Sequence, residues 1–312
     1  MVLGALDIFA FRVGPGAVVE EAPFLVTVLV KGVVYGLVIV IVQFGQFGDR
    51  LVGASATGPD PSILRHVFFS VAITMAFIFV MQISLLVGGR NLRNLLIGRY
   101  HSPRVEERFF LFVDVRGSTA IAERLGPTGV HRFLNDVFAL AADPVDELRG
   151  EVHQYVGDEM VVTWPVATGR VHARAAACFF AIERALEGAA PAFERTFGVV
   201  PRIRAALHAG DVIVGEVGVR KREIVFHGDV MNTASRLEHL AGELEHRLLA
   251  SEDAVNRLDA LEPYALKDVG TCSLRGRQQG IRVYAIEPIG DTMSGGGAEP
   301  AMTLGQRARE AR

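Results

Sequence analysis

The sequence has few cysteines and little net charge, and each shortage excludes a class of protein. Its 312 residues include two cysteines, Cys178 and Cys272, which stand far apart in the chain. Two cysteines at this spacing form neither a disulfide framework nor a zinc site, so we expect the reduced thiols of a cytosolic domain. The formal net charge is only -3, which argues against a protein that binds nucleic acid by attraction to its phosphates.

Hydrophobic residues, in contrast, make up 50% of the chain and include two long apolar runs. The first is PFLVTVLVKGVVYGLVIVIVQ at residues 23–43, and the second is VFFSVAITMAFIFVMQISLLVG at residues 67–88. Each reaches the roughly 20 residues that a helix needs to cross the hydrocarbon core of a membrane. The second run has no charged residue, and the first has only Lys31, which can snorkel or face a partner helix.

These runs predict a two-helix transmembrane hairpin within residues 23–89, after an N-terminal segment at residues 1–22. The alternatives are two buried helices of a soluble protein and a cleaved signal peptide. The first run is long, begins late and lacks an obvious cleavage site, which argues against a signal peptide.

Arginines are concentrated directly after the second run. The segment at residues 90–108 holds two glutamates, Glu106 and Glu107, against Arg90, Arg93, Arg99, Arg104 and Arg108. By the positive-inside bias, these arginines place the following domain in the cytoplasm, in a multi-pass protein of the inner (cell) membrane. We interpret residues 90–107 as a linker that couples the membrane segment to that domain.

Residues 108–288 show a different pattern, in which short apolar runs alternate with turns and helical stretches. Strands are predicted at Phe109–Val115, Val152–Val156, Met160–Trp164, Ile203–Ala209, Val212–Val217, Ile224–Phe226 and Arg282–Ile286. Helices are predicted at His131–Leu148, with a kink or restart at Pro144, and at Val171–Glu187 and Val230–Ala241. The tail at residues 289–312 is predicted to be disordered.

A carboxylate stands at the end of the first predicted strand of this domain. Asp114 follows a run of large apolar residues, and a carboxylate buried there without a partner costs several kcal/mol. Gly117, Ser118 and Thr119 come next and open a helical pattern, whose backbone N–H groups can hold phosphate oxygens. Ser118 or Thr119 can equally be a plain N-cap.

A second carboxylate is predicted at a hairpin tip. The stretch VHQYVGDEMVVTW places Gly157 and Asp158 between two strand-like runs. If this hairpin lies beside the first strand, Asp158 comes near Asp114. Two such carboxylates can bind Mg²⁺, which prefers oxygen ligands and substrate phosphates, and paired metals serve in-line phosphoryl chemistry. The alternative is a hairpin tip that needs Gly and Asp for turn geometry alone.

Two further stretches carry polar groups that suit a nucleotide. Asn232 and Arg236 are spaced i, i+4 in a predicted helix and project from one face, where they can contact a sugar and a phosphate. Arg275 and Arg277 lie in a glycine-containing loop. Taken alone, each stretch can also be an ordinary solvated surface.

Taken together, these stretches resemble the catalytic domain of the class III nucleotidyl cyclases, the adenylate and guanylate cyclases. The matching motifs run in the family's order over residues 109–286 and are FVDVRGST, YVGDE, RIRAALHAGDVIVGEVG, GDVMNTASRLE and LRGRQQGIRVYAI. The resemblance implies an α+β fold, with a ferredoxin-like or palm-type mixed sheet and flanking helices. The two apolar runs are similar to those of membrane-bound bacterial members.

The resemblance also implies roles for these residues. Asp114, Asp158 and the backbone carbonyl of Val115 would bind two Mg²⁺ or Mn²⁺ ions per active site. Asn232 would orient the ribose, and Arg236 would stabilise charge on the phosphate in the transition state. Arg275 stands where the family usually has a lysine that touches the triphosphate. Such a site needs a head-to-tail homodimer, with each site built from both protomers.

The base-reading positions depart from the family's patterns. Adenylate cyclases usually have Lys where this chain has Gln154, and Asp or Thr where it has Val225, and the guanylate pattern of Glu with Cys is absent too. ATP is therefore expected from family frequency, and a guanylate or dual-specificity cyclase stays an alternative. Two other hypotheses are a pseudo-cyclase that only binds nucleotide and a diguanylate cyclase.

Overall fold

The computed structural model describes residues 26–38, 41, 61–273 and 280–289, which fall into two units, residues 1–99 and 100–312. The helices are α1 (Val26–Val38), α2 (Pro61–Val87), α3 (Gly89–Leu96), α4 (Ser118–Glu147), α5 (Val166–Gly169), α6 (Arg174–Phe197), α7 (Asp229–Glu243) and α8 (Glu252–Val255), with a 3-10 turn at Val171–Ala173. The strands are β1 (Arg104–Val115), β2 (Glu151–Val156), β3 (Glu159–Pro165), β4 (Ile203–Val217), β5 (Glu223–His227), β6 (Leu248–Ser251), β7 (Tyr264–Cys272) and β8 (Ile281–Pro288).

The first unit contains one helix long and apolar enough to cross a membrane, among the residues described. This helix is α2, whose stretch Arg65–Ser84 has a mean hydropathy of 2.2. The described part of the first predicted span, α1, is shorter, so the structure does not show the two-helix transmembrane hairpin. Val28 and Tyr35 of α1 pack against Ile78 of α2. Lys31 is only 5% exposed, which fits the expectation that it faces a partner helix.

The second unit is built on a single mixed sheet of eight strands. Its strand order is β2-β3-β1-β4-β6-β8-β7, and β5 pairs with β4 off this path. The pair β4–β6 is parallel and the other pairs are antiparallel. With helices packed on both faces, this arrangement confirms the predicted α+β domain with a mixed sheet and flanking helices.

Strand β1 lies in the middle of the sheet, and this explains its continuous apolar run. Phe109, Leu111 and Val113 contribute to a core that includes α4 and α6. Phe110 and Phe112 point to the other face and pack with α7. A strand covered on both faces needs apolar side chains at successive positions, whereas a half-exposed strand alternates.

Several predicted elements differ from those observed. Strand β4 is continuous through Gly210 and Asp211, because both residues pair with β1 and extend the ladder. The sequence pattern does not predict β6 and β7. The kink or restart of α4 predicted at Pro144 is wrong, because the non-helical residue inside this helix is Gly126, with φ 69°. The N-terminal segment, the tail at 290–312 and the loop with Arg275 and Arg277 lie outside the described residues.

Candidate active site

The fold brings Asp114 and Asp158 together at one edge of the sheet. Asp114 is the penultimate residue of β1 and pairs in register with Glu159, the first residue of β3. The β2–β3 turn places Asp158 beside this strand end, where the Val115 N–H donates to the Asp158 carbonyl at 3.3 Å. The carboxyl groups of Asp114 and Asp158 lie close enough to share a hydrogen bond when one of them is protonated. The expected meeting of the strand end and the hairpin tip is therefore present.

The surroundings of these carboxyl groups favour a bound proton or cation. Burial raises the pKa of Asp114 from 3.8 to about 7, and the charge of Glu238 and the hydrogen bond with Asp158 act in the same direction. Burial also raises the pKa of Glu159 to about 7, with Glu238 and Asp158 as further causes. Carboxylates crowded in this way repel one another unless positive charge lies between them.

Arg204 supplies part of that positive charge, although its sequence position did not predict a role in the site. Its register position on β4 is opposite Asp114. Its Nη2 lies 2.6 Å from Asp114 Oδ2, and its Nε donates to Glu238 Oε1 at 2.8 Å. Glu238 is on α7 and only 2% exposed. Arg204 thus ties the candidate metal ligand Asp114 to the helix that carries Asn232 and Arg236.

Asn232 and Arg236 lie on the outer face of α7, away from this cluster. Asn232 is exposed and Arg236 is half-buried. At about 100° per residue, Asn232 stands within about 40° of Arg236, whereas Glu238 stands about 200° further around the helix. Because Glu238 points inward to Arg204, the Asn232–Arg236 pair points outward. One protomer therefore does not bring this pair to its own Asp114 and Asp158.

The turn between β1 and α4 leaves the first amides of the helix without a side-chain cap. Gly117 is the N-cap, in a left-handed conformation with φ 71°, and no side chain accepts a hydrogen bond there. Ser118 is the first helical residue, followed by Thr119, so the N-cap alternative for these two residues is wrong. Uncapped N–H groups beside two carboxylates suit phosphate oxygens that arrive with a metal ion.

The two base-reading positions lie on separate strands. Gln154 is exposed on β2, directly after an irregularity in the β2–β3 register at His153. Val225 is half-buried on β5, opposite Gly215 of β4. The ring of His153 packs edge-on against Phe226, with centroids 4.6 Å apart, and so links the two strands.

The residues at the end of β1 fit a divalent metal ion whose remaining coordination positions are filled by substrate. Among the described residues no group of three or more metal-ligating side chains is found. Asp114 and Asp158 provide two carboxylates, and the neighbouring carbonyl of Val115 provides a third oxygen. Mg²⁺ typically uses one or two carboxylates together with water and substrate phosphates, so this set is sufficient.

Sequence comparison agrees with this geometry. Residues 101–288 match the family described as the adenylate and guanylate cyclase catalytic domain. The chain is similar to adenylate cyclase 2 of Rhizobium meliloti (strain 1021), with 38% identity over 239 residues, 76% of this chain and 65% of that protein. It is 27% identical to an adenylate cyclase of Anabaena cylindrica, over 64% of this chain and 40% of that protein. The chain thus spans less than two thirds of either relative.

Solved structures share the fold. The adenylyl cyclase CyaB from P. aeruginosa has a TM-score of 0.53 at 20% identity, over 60% of this chain and 96% of that chain. A bacterial light-regulated adenylyl cyclase has a TM-score of 0.59 at 20% identity, over 73% and 66% of the two chains. With the family match covering more than half of its length, the chain belongs to the class III nucleotidyl cyclases.

Proposed function

We propose that this chain is a membrane-anchored, homodimeric adenylate cyclase that converts ATP to 3′,5′-cyclic AMP and pyrophosphate. The observation that carries the proposal is the adjacent pair of carboxyl groups, Asp114 and Asp158, at the end of β1. It lies beside the uncapped start of α4. An in-line displacement at the α-phosphate requires carboxylates that bind metal ions, next to N–H groups that hold phosphate oxygens.

The roles of the residues follow from this arrangement. Asp114, Asp158 and the Val115 carbonyl hold two Mg²⁺ or Mn²⁺ ions, which supply activation of the ribose 3′-hydroxyl and neutralisation of the triphosphate. The amides of Gly117, Ser118 and Thr119 hold phosphate oxygens, and Arg275 adds a guanidinium that can bind the triphosphate in a bidentate manner.

Two side chains of α7 act on the reacting groups. Asn232 hydrogen-bonds the ribose and fixes the direction of its 3′-hydroxyl toward the α-phosphate. Arg236 makes no ion pair with another described residue, so its guanidinium remains available for charge that develops on the α-phosphate in the transition state. Arg204 positions Asp114 through the 2.6 Å contact and keeps the buried charge of Glu238 compensated.

The homodimer is supported by the two faces of α7. Asn232 and Arg236 point away from the Asp114–Asp158 pair of their own protomer, so a second copy must supply the missing half of each site. A head-to-tail pair of identical chains does this twice, because the same surfaces meet in both directions.

ATP is the substrate that the relatives support. Both curated relatives described above are named adenylate cyclases. Neither Gln154 nor Val225 follows the adenine pattern, although Gln154 can both donate and accept a hydrogen bond. GTP remains the second candidate, because the guanylyl cyclase Cya2 also shares the fold, with a TM-score of 0.51 at 19% identity.

The membrane anchor is supported by α2. Its outward side chains include Phe68, Ile73 and Phe77, which are 69%, 68% and 60% exposed. Large apolar side chains exposed along a helix of this length suit lipid rather than water. The arginines at residues 90–108 support a cytoplasmic catalytic domain on the inner side of the cell membrane.

Product formation by the purified full-length chain in detergent tests the proposal. ATP and GTP compete in one reaction with Mg²⁺ or Mn²⁺, and the Asp114→Ala variant runs as a control. We expect cyclic AMP from the wild type and none from the variant. Predominant cyclic GMP would overturn the substrate, and nucleotide binding by a folded dimer without either product would identify a pseudo-cyclase.

A further inference from the structure

A cavity outside the candidate active site lies on the opposite face of the sheet from Asp114 and Arg204. It has a volume of about 390 Å³ and sits where β1 ends, β4 begins and α6 passes. Ile203 lines it and belongs to the core that includes α6, whereas the next residue, Arg204, points to Glu238 of α7. Its lining includes none of the residues assigned above to metal, phosphate or base.

The polar lining of this cavity is mostly cationic. Three arginines and two glutamates line it: Arg116, Arg202, Arg247, Glu183 and Glu187. Arg247 Nη1 is paired with Glu183 Oε2 at 3.2 Å. Arg116 and Arg202 make no ion pair with any residue in the described ranges. Arg116 and Arg202 line one concave space together with Glu187, which has no ion pair among the described residues, so the charged residues of the lining sum to a net positive charge.

We propose that this cavity binds a phosphate-type oxyanion, either inorganic phosphate or the phosphate of a small metabolite. Guanidinium groups donate charge-assisted, often bidentate hydrogen bonds that match the oxygens of phosphate. The volume falls within the roughly 300–1,000 Å³ of small-molecule sites. It exceeds what a single phosphate fills, so an ester with a short organic part also fits.

An anion bound in this cavity is connected through the backbone to the end of β1, which carries Asp114 and Val115. Arg116 follows Val115 and precedes Gly117, and its N–H donates to the carbonyl of Arg202 at 2.8 Å. An anion held by both side chains would fasten the β1–α4 turn to the start of β4. Because that turn directly follows Asp114 and Val115 at the end of β1, the bound anion fixes these candidate metal ligands in place and raises the catalytic rate. This second step rests on the proposed cyclase function, whereas binding does not.

Binding is tested with the full-length chain in detergent and EDTA. Inorganic phosphate is titrated and followed by calorimetry, with glycerol 2-phosphate in a parallel titration. Arg202→Gln is the test variant. The Arg202 side chain is exposed and makes no ion pair with a described residue, so the variant should fold, and its melting temperature checks this. Arg195→Gln, an exposed arginine of α6 outside the cavity, is the matched control.

We expect phosphate to bind the wild type and the Arg195→Gln control equally, and Arg202→Gln at least about tenfold more weakly. Tighter binding of glycerol 2-phosphate than of inorganic phosphate would identify a phosphate ester as the occupant, and the reverse order would identify free phosphate. The site is refuted if phosphate does not bind, if Arg202→Gln binds as the wild type does, or if Arg236→Ala removes the binding instead.

A second readout separates this inference from the proposed function. Phosphate should raise the rate of cyclic nucleotide formation in the wild type and leave that of Arg202→Gln unchanged. Phosphate binding without any cyclic product would leave the anion site standing and overturn the cyclase. A cyclase whose rate is independent of phosphate, although phosphate binds, would overturn the coupling to the β1–α4 turn.

Discussion

The buried carboxyl of Asp114 should make the metal-free protein less stable as the pH rises. Its folded-state pKa of about 7 lies well above its ordinary value of 3.8. The sign follows from linkage: a carboxyl with a raised folded-state pKa favours the folded state at low pH, and this stabilisation is lost as the pH rises from about 4 to about 7. The Asp114→Asn variant keeps the shape of the neutral acid and cannot ionise.

The pKa shift sets the size of the effect. About three pKa units correspond to roughly 4 kcal/mol at most, since each unit is worth about 1.4 kcal/mol. Burial is the largest cause of the raised pKa of Asp114, and the charge of Arg204 acts against it, so this figure is an upper bound. We therefore expect Asp114→Asn to be more stable than the wild type by about 2–4 kcal/mol at pH 8 and nearly equal to it at about pH 4.

Thermal unfolding in EDTA measures this difference. For a unit of this size about 1 kcal/mol corresponds to about 2–4 °C, so the variant should melt roughly 4–16 °C higher at pH 8. Mg²⁺ should then raise the melting temperature of the wild type and not that of the variant. Equal melting temperatures of the two proteins at pH 8, or a less stable variant, would refute the reasoning.

Three other substitutions probe the rest of the site. Arg236→Ala should lower kcat by about 10²–10³-fold with little change in KM, because it removes a contact made to transition-state charge. A rise in KM with unchanged kcat would contradict this role. Arg204→Met should destabilise the protein by about 3–5 kcal/mol in urea unfolding, since it leaves the buried Glu238 without its guanidinium partner, and wild-type stability would show that Glu238 is compensated in another way. The double variant Gln154→Lys with Val225→Asp should raise the ratio of kcat/KM for ATP to that for GTP by at least about tenfold, and an unchanged ratio would show that the base is read elsewhere.

The sequence predicts the carboxylate pair because each partner carries a local signal. Asp114 ends a continuous apolar run, and Asp158 sits in a two-residue turn between two strand-like runs. The hairpin has to pair with some strand edge, and the resemblance, which makes Asp114 and Asp158 ligands of the same metal ions, implies β1 as its neighbour. Local pattern and topology therefore agree at this point.

The sequence does not predict the roles of Arg204 and Glu238, because their contact joins elements that are distant in sequence. Arg204 stands in a strand-like run and Glu238 in a helix, and neither position looks unusual alone. Only the register of β1 with β4, and the packing of α7 on the same face, bring them to Asp114. An arginine inside an otherwise apolar strand is the one signal that a reader of the sequence could have followed.

The missed strands have a similar physical explanation. Strand β6 has only four residues, too few for a periodic pattern. Strand β7 lies at the sheet edge and carries the exposed Lys267 and Asp268, so its alternation is broken. Both are stabilised by pairing with β8 rather than by their own sequences.

The most direct test of the shared active site combines two inactive variants in one dimer. Asp114→Ala and Arg236→Ala chains with different affinity tags are co-expressed, and the heterodimer is isolated through both tags. In a head-to-tail pair one of its two sites carries both defects and the other is intact, so the heterodimer should show about half of the wild-type cyclase rate. A heterodimer as inactive as either variant alone would contradict the account, because Asp114 and Arg236 would then serve the same chain.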